Sequence, residues 1–315
     1  MKKKNQIMLE SKPCPICKSN KDTFLLKGYD RINNIPGLFN VVKCKYCGLL
    51  RTDPRPTSES MSFYYPDTYP PFLSKNIDNQ NSIKKKSFLK SLIQFNFTNL
   101  PDIAKGNLLE LGCASGDFLC KMANEGWNVT GIEQNTNCAQ LLSKSGYKIF
   151  NNTLENMPDL KQSFDLIVGW MVLEHVHDPV LCLKKLNSWS VKDGWLVLSV
   201  PNADSIEFAL FKDKWFGLQL PTHLYHFTPK TIKKLLEKNG WKVHKIFYQR
   251  QLNDFIASFG YYLKEKNKNS KLSEQFISFP NVCGKTGLRI LFPLSYLISL
   301  FGKTSRMTIW ARKSI

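Results

Sequence analysis

No run of about 20 apolar residues, the length a helix needs to cross a bilayer, occurs in this 315-residue sequence. The longest apolar stretch, Ile290 to Phe301, is broken by Pro293, Ser295, Tyr296 and Ser299, so it can touch a membrane but not span one. The basic start Met1-Lys2-Lys3-Lys4-Asn5-Gln6 lacks the apolar segment that makes a secretory signal, and we expect a cytoplasmic protein, at most peripheral to the inner membrane face. Acidic residues are scarce, 25 against 44 basic ones, and the resulting net charge of +19 suits nucleic acid, anionic lipid or phosphorylated substrates without choosing among them. With 43% hydrophobic and 12% aromatic residues, the chain is not a mainly disordered, collagen-like or coiled-coil protein. We find no internal repeat.

Nine cysteines make an odd count, which argues against a disulfide framework. Four of them form Cys14-Pro15-Ile16-Cys17 and Cys44-Lys45-Tyr46-Cys47-Gly48, two knuckles separated by 26 residues. Together they supply four thiolates, enough to close a tetrahedral structural Zn2+ site with no open position. Cys113, Cys120, Cys138, Cys182 and Cys283 read as small core residues.

The patterning divides the chain into a zinc ribbon over 1–55, with weak strands at Thr23–Lys27 and Phe39–Lys43, and a connector over 56–100. The connector holds Pro56, Pro66, Pro70, Pro71, the aromatic cluster Phe63-Tyr64-Tyr65, the run Lys84-Lys85-Lys86 and a helix near Ser87–Asn96. From Asn107 onward short apolar strands alternate with helix-sized segments. The strands are Leu108–Leu111, Val129–Glu133, Lys148–Phe150, Phe164–Trp170 and Trp195–Val200. That alternation predicts an α/β fold, a parallel sheet with helices on both faces, over residues 101–250. Asp178-Pro179 and Thr228-Pro229 read as helix starts, and Gly126, Gly146 and Gly240 as helix stops. Trp241–Tyr248 is a sixth strand and Met307–Ala311, within 306–315, a seventh that pairs with it. The apolar segments between them form an insertion, 251–305, expected to act as a lid or as an acceptor or membrane contact.

The sharpest chemical signal is Glu110-Leu111-Gly112-Cys113-Ala114-Ser115-Gly116-Asp117, a buried strand running through a small-residue turn into a helix. Glu133 follows about 20 residues on, at the end of the next strand, where a carboxylate can accept hydrogen bonds from two ribose hydroxyls. The sequence has neither Gly-x-Gly-x-x-Gly nor Gly-x-x-x-x-Gly-Lys-Ser/Thr here, which disfavours dinucleotides and ATP. The segment resembles the first motif of the class I S-adenosylmethionine-dependent methyltransferases, with Ala114 in place of the middle glycine. The resemblance continues through Phe164-Asp165-Leu166-Ile167, Leu173-Glu174-His175-Val176, Asp178-Pro179 and Gly194–Asn202. It implies a seven-stranded Rossmann-like methyltransferase sheet. It also implies that Glu110, Gly112, Ala114 and Gly116 line the methionine side of S-adenosylmethionine, that Glu133 holds the ribose, that Gln134, Asn152 and Thr153 border the adenine, and that Trp170 borders the pocket.

Five histidines are candidates for a base. Leu220 to Pro229 lies between the fifth strand and a helix, at the sheet edge where such folds bind ligands, and carries His223 and His226. A four-cysteine ribbon joined to this core is similar to the C-methyltransferases of nucleotide-linked keto-sugars and to proteins of surface-polysaccharide pathways. That similarity implies a proton-removing role for His223, although Thr222 stands where the family has glutamate. His175, beside Glu174 after the fourth strand, is the second catalytic candidate. We read His226 as loop packing, His244 as remote, and Tyr64 and Tyr65 as packing residues near the acceptor. The expected acceptor is a small, sugar-linked molecule. Ribosomal RNA, suggested by knuckles and charge, is disfavoured because no aromatic stacking motif is present. The hydroxyl of a quinone or other lipid also stays open.

Overall fold

In a computed structural model the described residues are 7–65, 97–267, 270–282 and 284–314. The connector prolines 66, 70 and 71, the lysine run 84–86, the expected helix over 87–96 and Cys283 lie outside them.

The strands are β1 (Leu9–Glu10), β2 (Asp22–Gly28), β3 (Phe39–Cys44), β4 (Leu50–Thr52), β5 (Arg55–Pro56), β6 (Asn107–Leu111), β7 (Asn128–Ile132), β8 (Lys148–Phe150), β9 (Phe164–Trp170), β10 (Ser190–Pro201), β11 (Tyr225–His226), β12 (Trp241–Tyr248) and β13 (Arg306–Lys313). Seven of them form one sheet in the order β12-β13-β10-β9-β6-β7-β8. The central pairs β10–β9, β9–β6, β6–β7 and β7–β8 are parallel, and β13 runs antiparallel to both β10 and β12. The alternation predicted the parallel strands, and the whole is the seven-stranded Rossmann-like sheet that the resemblance implied, with the insertion between its last two strands.

The central strands are apolar on both faces because helices cover both. Phe164, Leu166, Ile167 and Val168 of β9 are fully buried, each contributing about 1.5–3 kcal/mol by leaving water. The covering helices start and stop where local chemistry dictates. Asp178 accepts from the N–H groups of Val180 and Leu181 to cap the helix Pro179–Trp189, and Thr228 closes a capping box with Thr231 over Pro229–Glu237. Gly126, Gly146 and Gly240 follow helices with positive φ.

A second sheet has the order β11-β4-β3-β2. Its β2 and β3 match the weak strands predicted from the sequence, whereas β11 is a strand in a segment whose pattern predicts loop. Two residues are too few for any periodic signal, and this strand exists only because β4 offers it a partner, Tyr225 opposite Arg51 and His226 opposite Leu50. The N-terminal segment therefore packs into the core rather than beside it: Phe39, Val41, Leu49 and Tyr64 share one buried cluster with Leu109, Leu198, Trp215 and Phe227. The insertion folds as three helices, Asn253–Lys266, Lys271–Val282 and Gly284–Leu300. Among the described residues no helix is long and apolar enough to cross a membrane.

Candidate active site

The strand β6 delivers the chain into the turn 112–116, where backbone conformation selects the residues. Gly112 has φ +61° and Gly116 has φ +81°; a Cβ on Gly116 would collide with Leu142. Ala114, where the family motif has glycine, also sits in the left-handed region at φ +44°, as do Met171 (+58°) and Gln219 (+39°). All three line one cavity, while Lys18, Asn34, Asp193 and Lys212, also at positive φ, lie away from it.

That cavity holds about 770 Å³ at the carboxyl edge of the sheet. Gly112, Ala114, Glu133, Gln134, Asn152, Thr153 and Trp170 form one part of its wall. Glu133 Oε2 accepts from the Ala114 N–H at 2.7 Å and Oε1 from the Asn135 N–H at 2.7 Å, so the carboxylate is locked to the glycine turn it faces. Burial raises its pKa, and those two N–H groups work against the rise. Glu110 and Gly116 lie behind this wall rather than on it. Glu110 is buried, its Oε2 has no hydrogen-bond partner among the described residues, and burial with the Glu133 and Asp117 charges drives its pKa well up. Trp170 packs edge-on against Phe118 with 5.0 Å between ring centres.

The other part of the wall carries His175, His223, Tyr65, Gln219 and Arg306. The two imidazoles meet edge to face, 4.6 Å between centroids. His223 Nδ1 lies 2.9 Å from the Gly217 carbonyl, which can only accept; Nδ1 therefore carries the proton and Nε2 is left with a bare lone pair. His175 is oriented the same way by the Thr222 carbonyl at 3.0 Å, with the Tyr65 hydroxyl 2.8 Å from the same nitrogen. Burial keeps both rings neutral: His175 is lowered to about 4, and His223 lies well below the ordinary range, with His175 and His226 as further causes. Behind them, Glu174 is fully buried with both oxygens unpartnered among the described residues, and burial pushes its pKa up to about 8 against the pull of Arg306. A carboxylate oxygen of Glu174 and ring nitrogens of His175 and His223 lie within 4.8 Å of one another. Arg306 is itself held by Asp254, Nε to Oδ2 and Nη2 to Oδ1, both at 2.9 Å.

The second cluster is the four cysteines. Their Sγ atoms all fall within 4.8 Å of one another, with Cys14 to Cys47 at 3.3 Å and Cys17 to Cys44 at 3.4 Å. A tetrahedral ion with bonds of about 2.3 Å separates sulfurs by about 3.8 Å, so the donor set fits Zn2+. The turns are preformed by Lys18 N–H to the Cys14 carbonyl and Gly48 N–H to the Cys44 carbonyl. From this ribbon Thr52 reaches the segment before β11, donating its N–H to the Leu224 carbonyl at 3.0 Å and its hydroxyl to the His223 carbonyl at 2.8 Å.

Of the remaining histidines, His177 also lines the cavity, its Nε2 3.0 Å from the Pro56 carbonyl, and His226 belongs to β11 rather than to a loop. His226 is buried with Thr52 Oγ1 at 3.3 Å, and His244 packs on Trp195 away from the cavity. Tyr64 is packing, edge-on to Phe39, whereas Tyr65 enters the site. Sequence reasoning missed Arg306, Gln219 and Asn151. Asn151 donates to the Glu133 and Gln134 carbonyls and so shapes the cofactor-side wall. Arg306 opens β13, between β12 and β10, more than 80 residues beyond His223, and no local pattern announces its arrival here.

A family model described as a methyltransferase domain matches residues 83–246, just over half of the chain. The chain belongs to this family, and its class is that of the S-adenosylmethionine-dependent methyltransferases. Among curated proteins it is similar to the mitochondrial ubiquinone biosynthesis O-methyltransferase of Arabidopsis thaliana, 26% identical over 180 residues that cover 51% of this chain and 55% of that protein. The ubiquinone biosynthesis O-methyltransferase of Cereibacter sphaeroides (strain ATCC 17025) is 30% identical over 145 residues, 42% of this chain and 59% of that protein. The chain thus spans little more than half the length of these relatives. Among solved structures, an S-adenosylmethionine-dependent methyltransferase from Mesorhizobium loti aligns with 68% of this chain and 94% of its own, at TM-score 0.44 and 15% identity.

Proposed function

We propose that this protein transfers a methyl group from S-adenosylmethionine to a small polar acceptor, a sugar nucleotide or glycan intermediate of surface-polysaccharide synthesis. The observation that carries the reading is the bare Nε2 of His223, fixed by the Gly217 carbonyl in a cavity that also holds the turn 112–116 and Glu133. Bound against that turn, S-adenosylmethionine supplies an electrophilic methyl group on a sulfonium. Glu133 would accept from its ribose hydroxyls, the Gly112–Ala114 backbone would hold its amino acid part, Gln134, Asn152 and Thr153 would border its base, and Trp170 would border the pocket. His223 Nε2 accepts the proton that the acceptor loses, from oxygen or from carbon, and His175 with Tyr65 orients the acceptor. Tyr65, Gln219, both histidines and Arg306 make this end of the cavity rich in hydrogen-bonding groups, which favours a hydroxylated acceptor over an apolar one. The four cysteines would hold a structural Zn2+, and the ribbon they close braces the His223 segment through Thr52.

A second reading, methylation of a quinone or other lipid hydroxyl, is favoured by the names of the curated relatives. The deciding experiment compares surface glycans, nucleotide sugars and lipids by mass spectrometry in cells with the gene intact, deleted, or encoding His223→Ala. Loss of one methyl increment from a sugar in both altered strains supports the proposal. Loss from a quinone supports the second reading, and unchanged sugars overturn the first.

A further inference from the structure

The helix Gly284–Leu300 carries its polarity inside out. No charged residue occurs from Ile290 to Gly302. In that span Ile290, Leu294, Leu297 and Phe301 are 75%, 54%, 56% and 78% exposed, while Ser295 and Ser299 are 0% and 8% exposed. At about 100° per residue Ile290, Leu294 and Leu297 fall within roughly 60° of arc, with Phe301 in the turn just beyond the helix, and the two serines lie opposite. The serine hydroxyls can face protein because each donates within its own helix, Ser295 to the Phe292 carbonyl and Ser299 to the Tyr296 carbonyl. The preceding helix repeats the inversion, with Leu272 51% exposed beside fully buried Ser273.

An apolar stripe turned to water calls for an apolar surface to cover it. Charge narrows the choice. Residues 251–305 carry seven basic and three acidic side chains. Two of the acids are engaged, Asp254 by Arg306 and Glu265 by Arg31 and Lys214. Exposed Arg289 precedes the stripe, and Lys264, Lys266 and Lys271 are exposed on the adjoining helices. At 1.5 Å per residue the stripe is about 18 Å long, too short to cross a bilayer core of about 30 Å but suited to lying along its interface. It ends five residues before Arg306, which lines the active cavity, and the carbonyls of Gly302 and Thr304 are pinned by the Asn202 side chain at the end of β10.

We propose that Ile290, Leu294, Leu297 and Phe301 seat this protein on an anionic bilayer surface as a monotopic contact. The contact is independent of which acceptor is methylated. The test is flotation of the full chain with phosphatidylcholine vesicles, with and without phosphatidylglycerol, at low and high salt. Wild type floats with the anionic vesicles and is partly released by salt, and Leu297→Glu with Phe301→Glu lowers the partition at least about tenfold. Phe24→Glu, on the ribbon surface, leaves flotation unchanged. Unchanged circular dichroism and S-adenosylhomocysteine binding of the double variant show that its fold is intact. Absence of flotation, equal flotation on neutral vesicles, or a solution dimer that the double variant splits without any vesicle binding each overturns the proposal.

Discussion

Glu174 offers a sharp test of how burial governs this site. Its side chain is inaccessible to water, neither oxygen has a partner among the described residues, and its pKa is pushed up to about 8. In the unfolded chain a glutamate releases its proton near 4.3. Between those values the folded protein holds one more proton than the unfolded chain, so stability is fully present below the lower value and falls as pH rises toward 8. The slope is at most about 1.4 kcal/mol per pH unit, which over the window amounts to roughly 5 kcal/mol, and water penetration reduces this to about 2–5. Glu174→Gln has no proton to lose. Its amide remains poorly satisfied, a cost of about 1–3 kcal/mol that does not depend on pH. The readout is therefore the slope of the difference, not its offset. Denaturant unfolding of both proteins from pH 5 to 8.5 should show the variant gaining on wild type by about 1 kcal/mol per pH unit and levelling off above 8. Glu207, also raised to about 8 by burial, is present in both and cancels. Parallel curves would refute the reasoning.

Glu133→Ala removes the carboxylate that accepts from the Ala114 N–H in the glycine turn; calorimetry should show S-adenosylhomocysteine binding weakened about 10- to 100-fold. Gly116→Ala sets a Cβ against Leu142 at φ +81° and should cost about 2–4 kcal/mol in denaturant unfolding. Stripping metal with a chelator should release one zinc per chain and lower kcat through the Thr52–His223 contact, while cofactor affinity measured by calorimetry stays within about twofold. A metal-free protein with unchanged kcat would show that the ribbon does not brace the loop.

The seven strands and the glycine turn were legible because their signals are local. An apolar run such as Phe164-Asp165-Leu166-Ile167-Val168 is buried from both sides, and Gly112 and Gly116 stand where φ must be positive. The capped helix starts at Asp178 and Thr228 were legible for the same reason. The acceptor end was less so. His223 could be singled out, but its tautomer depends on the Gly217 carbonyl, and the placing of Arg306 and Tyr65 beside it depends on chain crossings that no window of sequence contains. The strand Tyr225–His226 is the extreme case, since its conformation is supplied by residues some 170 positions earlier.

That long-range pairing also sets an order of events during synthesis. The ribbon strands β2 to β4 emerge first, and Arg51 and Leu50 pair at once with Val42 and Lys43 of β3, yet the other edge of β4 acquires its partner only when Tyr225 and His226 have been made. At about 5–20 residues per second, the open edge of β4 waits roughly 10–35 s on the ribosome. An unpaired strand edge recruits other strands. The nascent chain is thus most vulnerable to aggregation in this interval, and slowing translation between residues 52 and 225 would reduce the yield of folded enzyme without altering a single native contact.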